Sequence, residues 1–297
     1  MLPQFELYLP KSVEETSEIL LTYNSNARIY AGGTDVLVQM AKGQSKPEAL
    51  VDIKGLAELR GISYSAAKEL SIGALTTHHE LENSDLIKKK YAALHDGVSR
   101  VGSVQTRNRG TIGGNLCSAL PSADSAAPLL ALGAKVIING SGGERELPLE
   151  KFYLGIKHTA LEPGEILTKI VIPALARHNA QAYIKFSRRN AMDLALMGVA
   201  ICYELDGLHV SKARIALTTA APTPVRAYGA EAFLTGKALT EANLKEAGVL
   251  AAEEAKPRDS WRSGAEYRRG LIKVLLPRIS RLALERMGKA RSENERD

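Results

Sequence analysis

Ala31-Gly32-Gly33-Thr34-Asp35, directly after Arg28-Ile29-Tyr30, is the stretch from which the fold can be read. It has a counterpart further along, Thr111-Ile112-Gly113-Gly114-Asn115. In each, a glycine pair removes two Cβ atoms, so consecutive backbone N–H groups can turn toward one point and meet an anion. Helix-forming residues follow, Val36 to Lys42 after the first pair and Ser122 to Leu132 after the second. A helix start adds unpaired N–H groups and partial positive charge at that point. Taken singly, either pair is explained as well by a type II turn entering a Thr-capped helix. Two such nests, converging, suit a diphosphate.

The 297 residues are 45% hydrophobic and 24% charged, which is enough for a sizeable core and for two domains. An aromatic share of 5% counts against a surface that stacks single-stranded bases. The net charge of +6 invites a nucleic-acid reading. Much of that excess lies late in the chain, at Arg258, Arg262, Arg268, Arg269, Lys273, Arg278, Arg281, Arg286, Lys289 and Arg291. Leu271, Ile272, Leu275, Leu276, Ile279, Leu282 and Ala283 recur between them at helical spacing. The charges therefore read as the outer face of an amphipathic helix, solvated or turned to another subunit. Two distant cysteines, Cys117 and Cys202, exclude a disulfide framework, a zinc ribbon and an iron–sulfur cluster held by this chain alone. No signal-peptide pattern opens the sequence and no window has the apolar length of a membrane helix, so a cytoplasmic protein is expected.

Ser12-Val13-Glu14-Glu15 is a capping box, predicting a helix to Tyr23 with Val13, Ile19, Leu20 and Tyr23 inward. Ala27 to Ala31 and Ala49 to Ile53 read as strands, and Ile62–Ser65 with Glu69–Gly73 as a hairpin. Helices are expected at Thr77–Asn83, Asp85–Lys90 and Ala92–Val101, then a polar loop over Gly102–Asn115. Further strands read at Lys135–Asn139, Gly142–Leu147 and Ile166–Ile172. Pro173 to Asn179 marks a boundary. Beyond it lie strands at Ala182–Phe186, Gly198–Glu204 and Ser211–Leu217, then helices, one capped by Thr240 and the last by Ser263 or Ser260. Strands followed by helices argue α+β, not a doubly wound sheet. The expected division is 1–175 (parts 1–54 and 55–175), 176–288, and a disordered tail 289–297.

P-loop, zincin and nucleophile-elbow motifs are absent. His78 and His79 read as surface or cap residues, and Asp124 and Asp193 as acids with no partner visible in the sequence.

The two glycine pairs together, with Asp124 beyond the second, resemble the FAD-binding subunits of the molybdenum hydroxylase (xanthine dehydrogenase) family. The likeness is nearest to the separate FAD subunit of the bacterial xanthine dehydrogenases. Val51-Asp52-Ile53-Lys54, Gly164-Glu165-Ile166-Leu167, Lys185-Phe186-Ser187-Arg188-Arg189, Ala220-Ala221-Pro222-Thr223-Pro224 and Arg258-Asp259-Ser260-Trp261-Arg262 extend it along the chain. The resemblance implies an FAD-binding fold of the vanillyl-alcohol-oxidase type, two α+β subdomains, with a C-terminal antiparallel sheet and helices beside the flavin. It implies that Arg28, Ile29, Tyr30, Ala31, Gly32, Gly33, Thr34 and Asp35 hold the cofactor from one side, and Thr111, Ile112, Gly113, Gly114 and Asn115 from the other. Asp124 would accept from the adenosine half, Leu167 would give apolar contact, and Lys185 would donate to the cofactor, although a snorkelling strand lysine explains Lys185 equally. Thr34 stands where some relatives carry a flavin-linked histidine, so FAD is expected to be non-covalent. Val101 stands where eukaryotic relatives place an aromatic ring, and no four-cysteine insertion is present.

The implied role is electron transfer with no catalytic residue of its own. FAD would collect electrons from [2Fe–2S] clusters on an iron–sulfur subunit, served by a molybdenum-cofactor subunit that oxidises the substrate, and pass them to NAD+ or another acceptor. Purine is the substrate this likeness suggests. No nucleic-acid partner is expected. The alternatives are a stand-alone flavin oxidase or dehydrogenase, and a non-enzymatic basic binding protein with purely structural glycine turns.

Overall fold

The computed structural model describes residues 2–207 and 209–294, with side chains through Lys289. In the first unit β1 (Glu6–Tyr8) leads to α1 (Val13–Tyr23), where the Ser12 hydroxyl accepts from Glu15 N. The Glu15 carboxylate reaches back to Lys11 N at 2.7 Å, one residue before the cap. β2 (Ala27–Tyr30), α2 (Val36–Ala41) and β3 (Ala49–Asp52) follow. The three strands pair in parallel in the order β1-β3-β2. Helix α1 buries Val13, Thr16 and Ser17 fully, and Ile19, Leu20 and Tyr23 lean on the core of Ala27, Ala49 and Val51.

The second unit opens with the hairpin β4 (Ile62–Tyr64) and β5 (Leu70–Gly73). Five short helices then pack in succession: α3 (His78–Asn83), α4 (Asp85–Lys90), α5 (Ala92–Val98), α6 (Val104–Arg109) and α7 (Ile112–Cys117). Gly102–Asn115 is therefore largely helical, contrary to the loop its polarity suggests. The reason is capping: Ser103 Oγ accepts from Thr106 N and Thr111 Oγ1 from Gly114 N, at 3.2 and 3.1 Å. Helix α8 (Ala126–Ala131) starts later than the expected Ser122. After it come β6 (Lys135–Gly140), β7 (Gly143–Pro148), α9 (Leu149–Phe152), β8 (Tyr153–Gly155), β9 (His158–Thr159) and β10 (Ile166–Ile172). The main sheet is antiparallel, in the order β4-β5-β10-β6-β7.

The third unit is an antiparallel sheet of β11 (Asn179–Phe186), β12 (Met197–Asp206), β13 (His209–Thr218) and β14 (Val225–Arg226), paired in that order. Side chains alternate across β12, as strand geometry requires. Val199, Ile201 and Tyr203 face a helical layer, while Ala200 and Cys202 join the core of the second unit. The helical layer is α10 (Tyr228–Leu234), α11 (Glu241–Glu254) and α12 (Ala265–Asn294). Leu271, Ile272, Leu275, Leu276 and Ile279 form the buried face of α12. Its start is capped by Asp259, whose Oδ1 accepts from Ala265 N at 2.6 Å, rather than by Ser263 or Ser260. Residues 289–294, expected to be disordered, continue α12, and 295–297 lie outside the described residues. Arg286 ties this helix to α5 through Asp96, at 2.6 and 3.1 Å. No helix among the described residues is long and apolar enough to cross a membrane.

Candidate functional site: a cofactor clamp between the glycine pairs

The first glycine pair sits in the turn from β2 to α2. Gly33 adopts φ +76°, where an L side chain is strained, and its carbonyl accepts from Leu37 N. Among the described residues, the N–H groups of Gly32, Gly33, Thr34 and Asp35 donate to no protein acceptor. Thr34 and Asp35 are exposed and the glycines half-buried. A row of free donors on a glycine turn is an anion cradle.

The residues on either side of the second pair, Arg109–Gly110 and Ser118, are brought against the first. A Cβ on Gly32 would overlap the Arg109 carbonyl oxygen and come within 3.0 Å of Gly110 Cα. The Ser118 hydroxyl donates to Asp35 Oδ2 at 2.5 Å, closing the contact from the far end of α7. The donors of this second jaw are engaged, unlike those of the first. Ile112 N bonds Thr76 O, Gly113 N bonds Ala74 O, Gly114 N bonds the Thr111 hydroxyl and Asn115 N bonds Thr111 O. A nest of free amides is thus present once. Gly113 serves close packing, since its Cβ would lie 2.7 Å from Ala74 Cβ. Asn115 Oδ1 accepts from Ser125 at 2.6 Å.

The remaining residues predicted from sequence fall into three positions. Asp124 and Lys185 meet in a buried ion pair at 2.7 Å, their side chains 8% and 6% exposed. Tyr183 OH donates to the other Asp124 oxygen at 2.9 Å, and Lys185 Nζ also donates to Arg100 O at 3.0 Å. Burial pushes the Asp124 carboxyl up, and Lys185, Tyr183 and Arg100 pull it back. Gly198 makes this possible, because a Cβ there would press on the Tyr183 hydroxyl at 2.6 Å. Leu167 lies in the core on β10, 4% exposed. Arg28 turns aside, its Nη1 on Ala27 O at 3.2 Å, and Tyr30 carries the Lys54 ammonium 3.3 Å from its ring centre.

A cavity of about 530 Å³ opens between Ser99–Arg100, the α6 residues Val104, Gln105 and Arg107, and Asn190–Ala191 of the third unit. That volume is in the range of ligand sites. Arg107, paired with Glu82 at 2.7 Å, also donates to Val101 O beside it.

His78, read from sequence as surface or cap, is 1% exposed and sits between Arg107 and the clamp. Its backbone N–H holds Gly110 O at 3.0 Å, its ring edge lies against Gly110, and its Nδ1 is buried without a partner. Burial and the Arg107 charge lower its pKa from 6.5 to about 4. The Thr77–Glu80 capping box turns it inward and leaves His79 on Asn83 outside. That box, Thr77-x-x-Glu80, is the sequence signal that could have separated the two histidines.

A glycine turn of free amides, closed by a second α+β unit and flanked by an antiparallel sheet, is an arrangement suited to a phosphate-bearing cofactor. Residues 3–175 match the FAD binding domain in molybdopterin dehydrogenase, and 181–283 the CO dehydrogenase flavoprotein C-terminal domain. The carbon monoxide dehydrogenase medium chain of Hydrogenophaga pseudoflava is 34% identical, covering 96% of this chain and 98% of that one. The xanthine dehydrogenase FAD-binding subunit of Escherichia coli O157:H7 is 36% identical, over 88% of this chain and 89% of that one. The solved carbon monoxide dehydrogenase of Hydrogenophaga pseudoflava that lacks the Mo-pyranopterin moiety superposes with a TM-score of 0.92 at 35% identity, covering 96% of this chain and 99% of its counterpart. The chain belongs to the FAD-binding subunits of the molybdenum hydroxylase family. It is an oxidoreductase subunit with the vanillyl-alcohol-oxidase type of FAD-binding fold. Its likeness is shared between carbon monoxide and xanthine dehydrogenases, which shows the family and does not single out the xanthine branch.

Proposed function

We propose that FAD binds non-covalently with its diphosphate on the Gly32–Asp35 amides. The single observation that carries this reading is that these four donors are free in a turn packed against Arg109–Gly110, just ahead of the second jaw. Neutral N–H groups then meet about two negative charges without a lysine. Thr111, Gly113, Gly114 and Asn115 close the clamp, and Ala31, Tyr30, Ile29 and Arg28 carry the first jaw. The Asp124–Lys185 pair, with its lysine on Arg100 O at the rim of the cavity, sets the position of the flavin-proximal wall. Leu167 supports that wall from the core. FAD supplies a carrier that takes electrons singly and gives them up as a pair. The chain itself binds, orients and shields it.

In the complex, an iron–sulfur subunit delivers electrons taken by a molybdenum subunit from the substrate, and this chain passes them on in the cytoplasm. The division is 1–175 for the cofactor and 176–288 for the flanking unit. NAD+ is the acceptor to test first. Anaerobic mixing of the substrate-reduced complex with NAD+ should reoxidise the flavin and produce NADH in equal amount. A flavin that stays reduced until a quinone or dye is added excludes NAD+. Gly32→Asp sets a carboxylate on the diphosphate and into Arg109, and should leave the purified chain without FAD. Full flavination of that variant contradicts the placement.

A further inference from the structure

Among the described residues, no carboxylate forms an ion pair with the buried guanidinium of Arg268. Arg268 lies in the second turn of α12, 6% exposed. Its Nη2 donates to Ser260 Oγ at 2.9 Å, and its Nε is buried with no partner. Its charged neighbours are of the wrong sign. Burial first, then Arg258 and Arg262, disfavour its charged form, and Asp259 alone among the described residues acts against them. Asp259 has one oxygen committed to capping Ala265 N. A guanidinium buried in this way calls for a carboxylate or phosphate, and among the described residues only Asp259, already committed through Oδ1, stands near it.

Over the same turn stands Trp261, the only tryptophan of the chain, 78% exposed. The Arg262 guanidinium lies 4.3 Å from its ring centre and that of Arg188 6.0 Å away. Arg188 Nη2 donates to the Arg262 carbonyl, joining the 187–196 segment beside the cavity to this turn. Tyr267 is exposed beside Arg268 in sequence. Exposed Trp, Tyr and Arg around a buried unpaired charge have the composition of an interface hot spot. A small anion would satisfy the guanidinium but leave Trp261 in water.

We propose that the turn at 258–264, with Arg268 at its base, docks an acidic segment of a partner subunit, one carboxylate pairing with Arg268 and the chain covering Trp261. This rests on the reading of the protein as one subunit of a complex. The test uses the complex co-expressed with its iron–sulfur and molybdenum subunits, comparing wild type, Trp261→Ala and Arg262→Glu. Each variant should hold its partners at least tenfold more weakly, with a weaker salt dependence for Arg262→Glu, and Trp261 emission should shift when wild type assembles. FAD per chain should be unchanged in both variants, which keeps a docking defect apart from a folding or cofactor defect. If wild type binds no FAD, the proposed function fails while the assembly readout still decides the docking site. Wild-type assembly by both variants overturns the proposal. So does a Trp261 shift produced by inorganic phosphate alone, or by self-association of this chain.

Discussion

Lys185 and Asp124 satisfy each other across the join between the second and third units, and each is costly to remove. Lys185→Met leaves a buried carboxylate with only the Tyr183 hydroxyl. A loss of about 3–5 kcal/mol is expected at pH 7 in urea unfolding, shrinking as the pH falls and the carboxyl takes a proton. An unchanged midpoint would mean that the pair is not buried in solution. His78 gives a second residue-level test. Its folded pKa, about 4, lies below the ordinary 6.5, so the unfolded chain binds the proton first. The stability it contributes is full above pH 6.5 and is lost as the pH falls toward 4, on the order of 3 kcal/mol in all. His78→Leu should flatten the thermal midpoint over that window, and an unaltered slope would place the titration elsewhere. Sequence could not pair Asp124 with Lys185, 61 positions apart, because only the fold brings them together.

At the scale of elements, the two jaws differ in what their glycines do. Gly32 abuts backbone, which cannot rotate away, whereas the nearest atom to a Cβ on Gly114 is the Thr111 hydroxyl at 2.9 Å. Gly32→Ala should cost about 3 kcal/mol and most of the bound FAD, and Gly114→Ala only about 1 kcal/mol through the cap. Equal losses in chemical denaturation would contradict the packing argument. The strand-turn-helix around Gly32 could be read from sequence because its signals are local: a short strand, a Gly turn, a helix. The helices at Val104–Arg109 and Ile112–Cys117 could not, since a six-residue helix has too few turns for periodicity and depends on its Ser or Thr cap. Arg268 looked like one more charge on an outer face. Its burial follows from the turn that folds Ser260 back over the helix start.

For the whole molecule, the antiparallel sheet β11–β14 is the shared wall. One face packs α11 and α12, and the other joins the second unit, so Asp124, Tyr183 and Lys185 meet where the units join. The α+β architecture was readable from the order of strands and helices. The meeting of the jaws was expected only through the family resemblance, because no local signal records a contact between units. The account turns on one cofactor held without a covalent bond at that meeting. The direct measurement is to purify the chain, record its visible spectrum and denature it in acid. One FAD per chain released to the supernatant is the predicted result. A colourless chain that takes up no added FAD, or a yellow pellet with the flavin still attached, would contradict it.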